Sequence, residues 1–349
     1  MSMPKVSFHV VTWNGIRYLP DLFASMEKQT WREMLVRMAD NGSDDGTWDV
    51  LSSREGVTSI RNARNLGFAV GHNQLIRFAL DKWVGEDLAH SYIVVANQDI
   101  VLDAGFIEQA VSALEGHPKA GSVQGKLLRA FIEHPEDEYL TETICADVID
   151  STGLRPTWSL RFVDRGAGEL DEGQYDEGEE VFGATGALTV YRAQALVDVR
   201  FQDEFFDADF FMYKEDVDLA WRLRKAGWVC LYVPTALAYH HRGLFGKERM
   251  TWKERLQTRR FKRPFLALLS TRNQYLMLWK HMGGLLLLWS LPFLLFVETR
   301  QLVYTVLFER NLLRGLFAGW RLVPRMLKKR RAIKRAPGYS FREVTRFLK

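Results

Sequence analysis

Short apolar runs alternate with longer amphipathic stretches through the first hundred residues of this 349-residue chain. Strands are predicted at residues 6–12, 34–39, 57–60 and 91–96, because each is a brief run of apolar, often β-branched residues. The segment 18–29 between the first two has helical periodicity. Strands that alternate with helices at this spacing predict an α/β fold with a mostly parallel central sheet covered on both faces.

Polar residues follow these strands, where the loops of such a sheet form a ligand crevice. Trp13 follows the first strand, Asp40 ends the second, Asn65 follows the third and Asp99 follows the fourth. The pattern loosens over residues 124–180, which predicts a long loop with short strands, and a closing strand then ends at His240. The sequence has no GxGxxG motif after the first strand and no GxxxxGK[ST] motif at any position. The two commonest nucleotide-binding loops are therefore absent.

The segment "FFMYKEDVDLAWRLRKAGW", residues 210–228, predicts a helix that begins with three acids. Apolar residues lie three, four and seven positions after Asp216, which places Asp216 on the inward face. Asp218 and Arg222 are spaced as an i,i+4 pair and are predicted on the solvent side. A carboxylate on a buried stripe is costly without a partner or a task. From this segment alone, both a structural and a catalytic role of Asp216 remain open.

The last seventy residues change character. The run "GGLLLLWSLPFLLFV", residues 283–297, is apolar but falls short of the roughly 20 residues that span a bilayer. After it, Leu, Phe and Trp interleave with many Arg and Lys, a pattern typical of a helix lying in a membrane interface. A hairpin packed on the domain, or a dimer interface, is the alternative. The bulky aliphatic residues favour lipid over nucleic acid.

Composition adds few constraints. The net charge is +4, and the apolar and charged fractions are ordinary for a globular protein. Cys145 and Cys230 offer at most one disulfide and no metal-ligand spacing, which fits a reducing compartment. No basic stretch followed by an apolar core opens the sequence, so a cytoplasmic location is expected.

Eight stretches, taken in order, resemble the family 2 glycosyltransferases of the GT-A fold, in their rhamnosyltransferase-like branch. They are "VVTWNGIRYLPDLFASMEKQT", "DNGSDDGT", "NLGFAVGHN", "VVANQDIVLD", "STGL", "FGATGALTVYR", "FFMYKEDVDLAWRLRKAGW" and "YHHRG". The resemblance covers about the first 275 residues and implies a GT-A domain at 1–275, followed by a helical, basic, membrane-associating region at 276–349.

That resemblance implies an inverting transferase that uses a nucleotide-diphosphate sugar and a divalent cation, Mg²⁺ or Mn²⁺. The branch suggests dTDP-rhamnose as donor, with UDP-sugars as the alternative. It implies a lipid-linked (polyprenyl) or growing cell-surface glycan as acceptor, at the inner face of the cell membrane, where the enzyme would bind an anionic surface peripherally. No nucleic-acid partner is expected, and the C-terminal helices could join copies of the chain.

The implied metal ligands are Asp99 and His240, with His241 as the alternative if the register slips by one residue. A structural histidine that satisfies a loop carbonyl is the other interpretation of His240, because Mg²⁺ prefers oxygen ligands. The branch usually has Asn-Pro-Asp before the metal, whereas Gln98 replaces the proline here, which implies a looser turn.

The implied general base is Asp216, with Glu215 orienting the acceptor hydroxyl or Asp216 itself. Asp40 corresponds to the acid that accepts a hydrogen bond from the pyrimidine ring. Arg272, beside Asn273, fits a position near the phosphates, although a surface arginine is the alternative. The remaining residues implied to contact the nucleotide sugar are Thr12, Trp13, Asn14, Asn65, Gly67, Asn97 and Gly186.

Two other classes of function compete. A non-catalytic nucleotide-sugar-binding scaffold of the same fold is disfavoured, because Asp40, Asp99, Asp216 and His240 occur together. A nucleotidyltransferase is disfavoured because no glycine-rich, lysine-bearing phosphate loop lies near the N-terminus.

Overall fold

The computed structural model describes residues 4–132, 143–241, 264–310, 313–333, 335 and 341–348. The strands are β1 (Lys5–Thr12), β2 (Met34–Asp40), β3 (Val57–Arg61), β4 (Ser91–Asn97), β5 (Ile100–Leu102), β6 (Ala120–Ile132), β7 (Thr143–Ser151), β8 (Leu154–Pro156), β9 (Phe162–Asp164), β10 (Glu179–Val181), β11 (Leu188–Arg192) and β12 (Val229–His241). The four predicted N-terminal strands agree with β1 to β4 to within one residue at each end.

The helices surround the sheet and then continue beyond it. They are α1 (Leu19–Glu27), α2 (Thr47–Ser53), α3 (Gly67–Lys82), α4 (Phe106–Gly116), α5 (Ala193–Val199), α6 (Glu215–Lys225), α7 (Pro264–His281), α8 (Leu285–Phe308), α9 (Leu313–Trp320), α10 (Val323–Ala332) and α11 (Phe341–Thr345), with 3₁₀ turns at Leu88–His90 and Ala208–Phe210. The predicted boundary at 275/276 falls inside α7.

The main sheet has the order β10-β12-β6-β11-β4-β1-β2-β3, with β5 paired to β12 and β7 paired to β6. Strands β3, β2, β1 and β4 are parallel, as predicted, whereas β11 runs antiparallel between β4 and β6 and makes the rest of the sheet mixed. Register places Thr12 opposite Asp40 and Asp40 opposite Arg61, so these strands end at a common edge.

The core lies on both faces of β4, which is why its sequence is continuously apolar. Tyr92, Val94 and Ala96 pack with α1 and α4, while Ile93 and Val95 pack with α3, α5 and α6. A third apolar cluster joins α6 to the C-terminal helices. Helix α6 is therefore enclosed from two sides.

Helix α8 corrects the expectation of a short, interrupted apolar segment. It continues through Pro292 for 24 residues, and by length and composition it could cross a membrane. Only 17% of its most apolar window is buried. The helix extends past residue 297 because Glu298, its only acid, is paired with Arg161 (2.7 Å) and the Tyr275 hydroxyl instead of ending the run.

Candidate active site

Two predicted donor-binding residues, Thr12 and Asp40, lie at the carboxyl edge of the parallel strands. Thr12 and Asp40 are fully buried. The Asp40 carboxylate accepts hydrogen bonds from the Ser43 backbone N–H (3.2 Å) and hydroxyl, and it lies 3.4 Å from the Arg61 guanidinium. Asp40 is therefore held in one orientation at the end of β2.

The loop after β1 presents Trp13 and Asn14 to solvent. Asn14 has a positive φ of 49°, and its side-chain oxygen accepts from the Asp44 N–H at 3.1 Å. The Gln98 side chain accepts from the Trp13 N–H (2.9 Å) and donates to the Trp13 carbonyl (3.4 Å). The Gln98 amide thus fastens the turn after β4 to the first loop, while the looser turn expected from the missing proline stays a prediction.

Gly67 brings the loop after β3 close to the segment that precedes α6. Its φ is +81°, and a Cβ added there would lie 2.5 Å from the Phe211 carbonyl oxygen, so a side chain has no room. The Asn65 side chain accepts from the Gly67 N–H at 2.8 Å and fixes this loop. The Ala69 N–H donates to the same Phe211 carbonyl at 3.1 Å.

Asp99, at the end of β4, meets His240 near the end of β12. His240 Nε2 lies 3.3 Å from Asp99 Oδ1 and 3.5 Å from the Asn97 amide nitrogen. His240 Nδ1 is 2.8 Å from Asp150 Oδ2, and this carboxylate on β7 is almost fully buried. Asp150 therefore orients the imidazole so that Nε2 faces Asp99. His241 is directed elsewhere, with Nε2 3.4 Å from the Thr143 hydroxyl.

The electrostatics of this cluster favour a positive charge. Burial alone would lower the pKa of His240, but the carboxylates of Asp99 and Asp150 outweigh it and raise the pKa to about 10. Asp99 Oδ1 is itself buried and accepts no well-aligned hydrogen bond among the described residues. An orphaned carboxylate oxygen beside an oriented imidazole fits a divalent cation.

Asp99 and His240 would supply only part of a coordination shell. Among the described residues, no three His, Cys, Asp or Glu side chains converge as a full ligand set. Mg²⁺ and Mn²⁺ sites that also use substrate phosphates and water need only one or two protein ligands. The donor set is therefore consistent with a cation that is shared with a diphosphate.

Asp216 and Glu215 open helix α6. Asp216 is partly exposed, and its carboxylate accepts hydrogen bonds from the backbone N–H groups of Gly186 (3.0 Å) and Val217 (2.7 Å). Glu215 is buried, and burial together with the nearby Asp216 raises its pKa well above the ordinary value. Burial therefore favours the neutral form of the Glu215 carboxyl.

The loop that carries Gly186 joins this pair to the Asp99 cluster. The Gly186 N–H donates to Asp216, and the carbonyl of the next residue, Ala187, accepts from the Asn97 N–H at 2.8 Å. Asn97 in turn lies beside His240. The loop of Gly186 and Ala187 therefore connects the Asp216 carboxylate to the Asp99 cluster.

The prediction for the faces of α6 is wrong. Asp218 is fully buried, not solvent-facing, and accepts from Arg222 (2.9 Å), Lys280 (2.6 Å) and His281 (2.7 Å). Asp216 is the acid with partial exposure. The cause is α7, which covers the side of α6 opposite the sheet. Helix α6 therefore has two buried faces, and its apolar stripe marks only one of them.

Arg272 has partners other than phosphate in this structure. Its guanidinium donates to the carbonyls of Asp209 (2.7 Å) and Phe210 (3.1 Å). Asn273, the next residue, also donates to this segment.

Asp150, which orients His240, was not predicted from the sequence. A signal was present, because Asp150 directly precedes the "STGL" stretch and is an acid that follows apolar residues in "VID".

Known proteins resemble this chain in sequence and in fold. The model of glycosyl transferase family 2 matches residues 7–197. Two relatives named N-acetylglucosaminyl-diphospho-decaprenol L-rhamnosyltransferase, from Mycobacterium tuberculosis strains CDC 1551 / Oshkosh and ATCC 25618 / H37Rv, are each 30% identical over 243 residues, which are 66% of this chain and 74% of theirs.

Among solved structures, GalNAc-T7 with UDP, GalNAc and Mn²⁺ superposes with a TM-score of 0.51 at 14% identity. The match covers 79% of this chain and 48% of that one, so the chain spans about half of that protein and the likeness shows the fold alone. From the family match and its relatives together, the chain is a GT-A glycosyltransferase and belongs to glycosyltransferase family 2.

Proposed function

We propose that this enzyme transfers L-rhamnose from dTDP-rhamnose to a sugar on a polyprenyl-diphosphate lipid, with inversion at the anomeric carbon. The observation that supports the proposal is the loop of Gly186 and Ala187, which connects Asp216 to the cluster of Asp99 and His240. A relative named as an L-rhamnosyltransferase for a decaprenol-linked acceptor supports this choice of sugar and acceptor.

The donor would lie along the strand ends. Asp40, buried and fixed by Ser43 and Arg61, would accept a hydrogen bond from the pyrimidine N–H. Trp13 and Asn14 are exposed in the loop after β1, where they would contact the base and the ribose. Gly67 would let the backbone approach the ribose and phosphates. The other residues proposed for donor binding are Thr12, Asn65, Asn97 and Gly186.

Asp99 and His240 are the residues that would hold a divalent cation. When bound, such a cation would neutralise the charge that develops on the departing diphosphate. Asp150 holds the His240 ring in the orientation this requires. Arg272 is engaged by backbone carbonyls, so its proposed phosphate contact would require those hydrogen bonds to rearrange.

Inversion by a single displacement requires one base at the acceptor hydroxyl. Asp216 would accept that proton, because two backbone N–H groups aim its carboxylate and leave it partly exposed to the crevice. Glu215, whose pKa is raised by burial and by the nearby Asp216, would orient the acceptor hydroxyl or Asp216 itself. The remaining lone pairs of Asp216 would be available for the transferred proton.

A membrane-surface location follows from the C-terminal helices. Large apolar side chains on α8 are exposed, among them Leu288 (67%) and Phe296 (69%), and α10 carries a cluster of basic residues. Such a combination suits peripheral binding to the anionic inner face of the cell membrane, where lipid-linked acceptors are presented.

The test is a transfer assay with a panel of nucleotide sugars, an N-acetylglucosaminyl diphosphate lipid as acceptor, and Mg²⁺, Mn²⁺ or excess chelator. We expect transfer from dTDP-rhamnose with either metal and none with chelator. Transfer from a UDP-sugar alone would overturn the donor assignment. Binding of nucleotide sugars without transfer to any acceptor would instead indicate a non-catalytic scaffold.

A further inference from the structure

The backbone immediately before α6 adopts conformations that L-amino acids rarely take. Phe211, Tyr213 and Lys214 have φ values of 65°, 69° and 71°, and none of them is glycine. The Met212 N–H reaches back to the Phe210 carbonyl at 2.7 Å, which makes Phe211 the centre of a strained γ-turn. Such backbone persists only where its surroundings hold it.

Asn273 on α7 donates hydrogen bonds that hold this backbone in place. Its side-chain amide nitrogen lies 2.8 Å from the carbonyl oxygen of Phe210, 2.9 Å from that of Met212 and 2.7 Å from that of Tyr213. Asn273 is fully buried. The two N–H groups of one amide are thus shared among three carbonyls of the turn, of which Phe210 also accepts from the Met212 N–H and from Arg272.

Arg272 fixes Asn273 in turn. Its Nε donates to the Asn273 side-chain oxygen at 2.9 Å, and this contact determines which end of the amide faces the turn. The same guanidinium donates to the carbonyls of Asp209 and Phe210. Both residues therefore bind the segment that runs directly into Glu215 and Asp216.

We propose that Asn273, oriented by Arg272, is a positioning residue of the active site. It sets the direction in which the strained turn presents Asp216, although it lies on α7, the helix that crosses the predicted boundary at 275/276. The inference rests on the proposed function of Asp216 as base. Its consequence is that α7 belongs to the catalytic apparatus and does more than connect the domain to the membrane-associating helices.

The test is a double-mutant cycle with Asn273→Ala and Asp216→Asn, read by single-turnover transfer and by donor binding. Because a misplacement of about 1 Å can cost about 10²-fold, we expect Asn273→Ala to slow turnover by about that factor while the donor Kd changes by less than about 3-fold. In the Asp216→Asn background, where the base is already lost, Asn273→Ala should slow the residual rate by less than about 3-fold.

Gln274→Ala is the matched control. Gln274 is a buried amide on the same helix, but it donates to the Leu160 carbonyl, away from the turn. The control should lose comparable thermal stability and keep the parent turnover rate. If Asn273→Ala also turned over like the parent, or if its effect were equally large in both backgrounds, the positioning role would be overturned.

Asn273→Ser keeps the proposal testable if the alanine variant does not fold. Serine retains one donor near the turn, so a turnover rate between those of Gln274→Ala and Asp216→Asn, at unchanged donor affinity, is expected. Parent-like turnover by the serine variant would overturn the proposal. Failure of the proposed base is separately visible, because Asp216→Asn alone would then turn over like the parent.

Discussion

Replacing Lys280 with methionine should destabilise the folded protein by about 3–5 kcal/mol. The Lys280 ammonium lies 2.6 Å from Asp207 and 2.6 Å from Asp218, and all three side chains are at most 3% exposed. Methionine keeps most of the unbranched lysine side chain but lacks the ammonium, so it leaves two buried carboxylates with less compensation. With an unfolding entropy of about 2.1 cal/mol/K per residue over 349 residues, the expected fall in Tm is about 4–7 °C.

The assay is thermal unfolding at several pH values, with Lys328→Met as control, because Lys328 is an exposed lysine on α10. Burial raises the pKa of Asp207, but Lys280 and Lys329 outweigh it and lower the pKa below its ordinary value. A depressed carboxyl pKa contributes stability that is complete above the unfolded pKa of about 3.9 and lost as pH falls through the folded value.

The stability deficit of Lys280→Met should therefore be full from pH 7 down to about pH 4 and shrink only as the pH falls below about 3.9, whereas Lys328→Met should stay within about 0.5 kcal/mol of the parent. Equal Tm values for the two variants at pH 7 would refute the buried network. A deficit that grew as the pH fell would show that the carboxylates are not the groups left uncompensated.

Three further predictions concern metal dependence, the orientation of the His240 ring and binding to the membrane. Asp99→Ala should lose donor binding and transfer together, because the diphosphate charge is then uncompensated; full turnover in excess chelator would contradict metal dependence. Asp150→Asn should weaken the affinity for metal by about 10–100-fold, because the His240 ring loses the carboxylate that orients it. The affinity is measured by Mn²⁺ titration, and an unchanged value would show that Asp150 has only a structural role. Salt-sensitive binding to anionic vesicles should fall when Leu288 and Phe296 are both changed to serine; equal sedimentation with parent protein would assign that face to another role, such as contacts between copies.

The parallel strands could be predicted because burial on both faces leaves a direct mark on sequence. β4 is apolar at successive positions, and its end is marked by Asn97 and Asp99. The pairing of Asp99 with His240 required the family resemblance, since 141 residues separate them and no local pattern links them.

What could not be predicted depends on contacts between distant segments. The burial of Asp218 follows from α7, and nothing within α6 itself shows that another helix will cover its second face. Asp150 is a single acid in a strand, and its task appears only where β7 and β12 bring it to His240. The length of α8 was missed because Glu298 finds partners outside its own helix.

The most direct test of the account is the single-turnover rate of Asp216→Asn with saturating dTDP-rhamnose, acceptor and Mg²⁺. The asparagine keeps the shape of the side chain and an oxygen that can accept from the Gly186 N–H, but it cannot take a proton. The rate should fall by about 10² to 10⁴, the range typical of a general base, with donor affinity unchanged. A variant that transferred sugar at the parent rate would show that Asp216 is structural and that the base lies elsewhere.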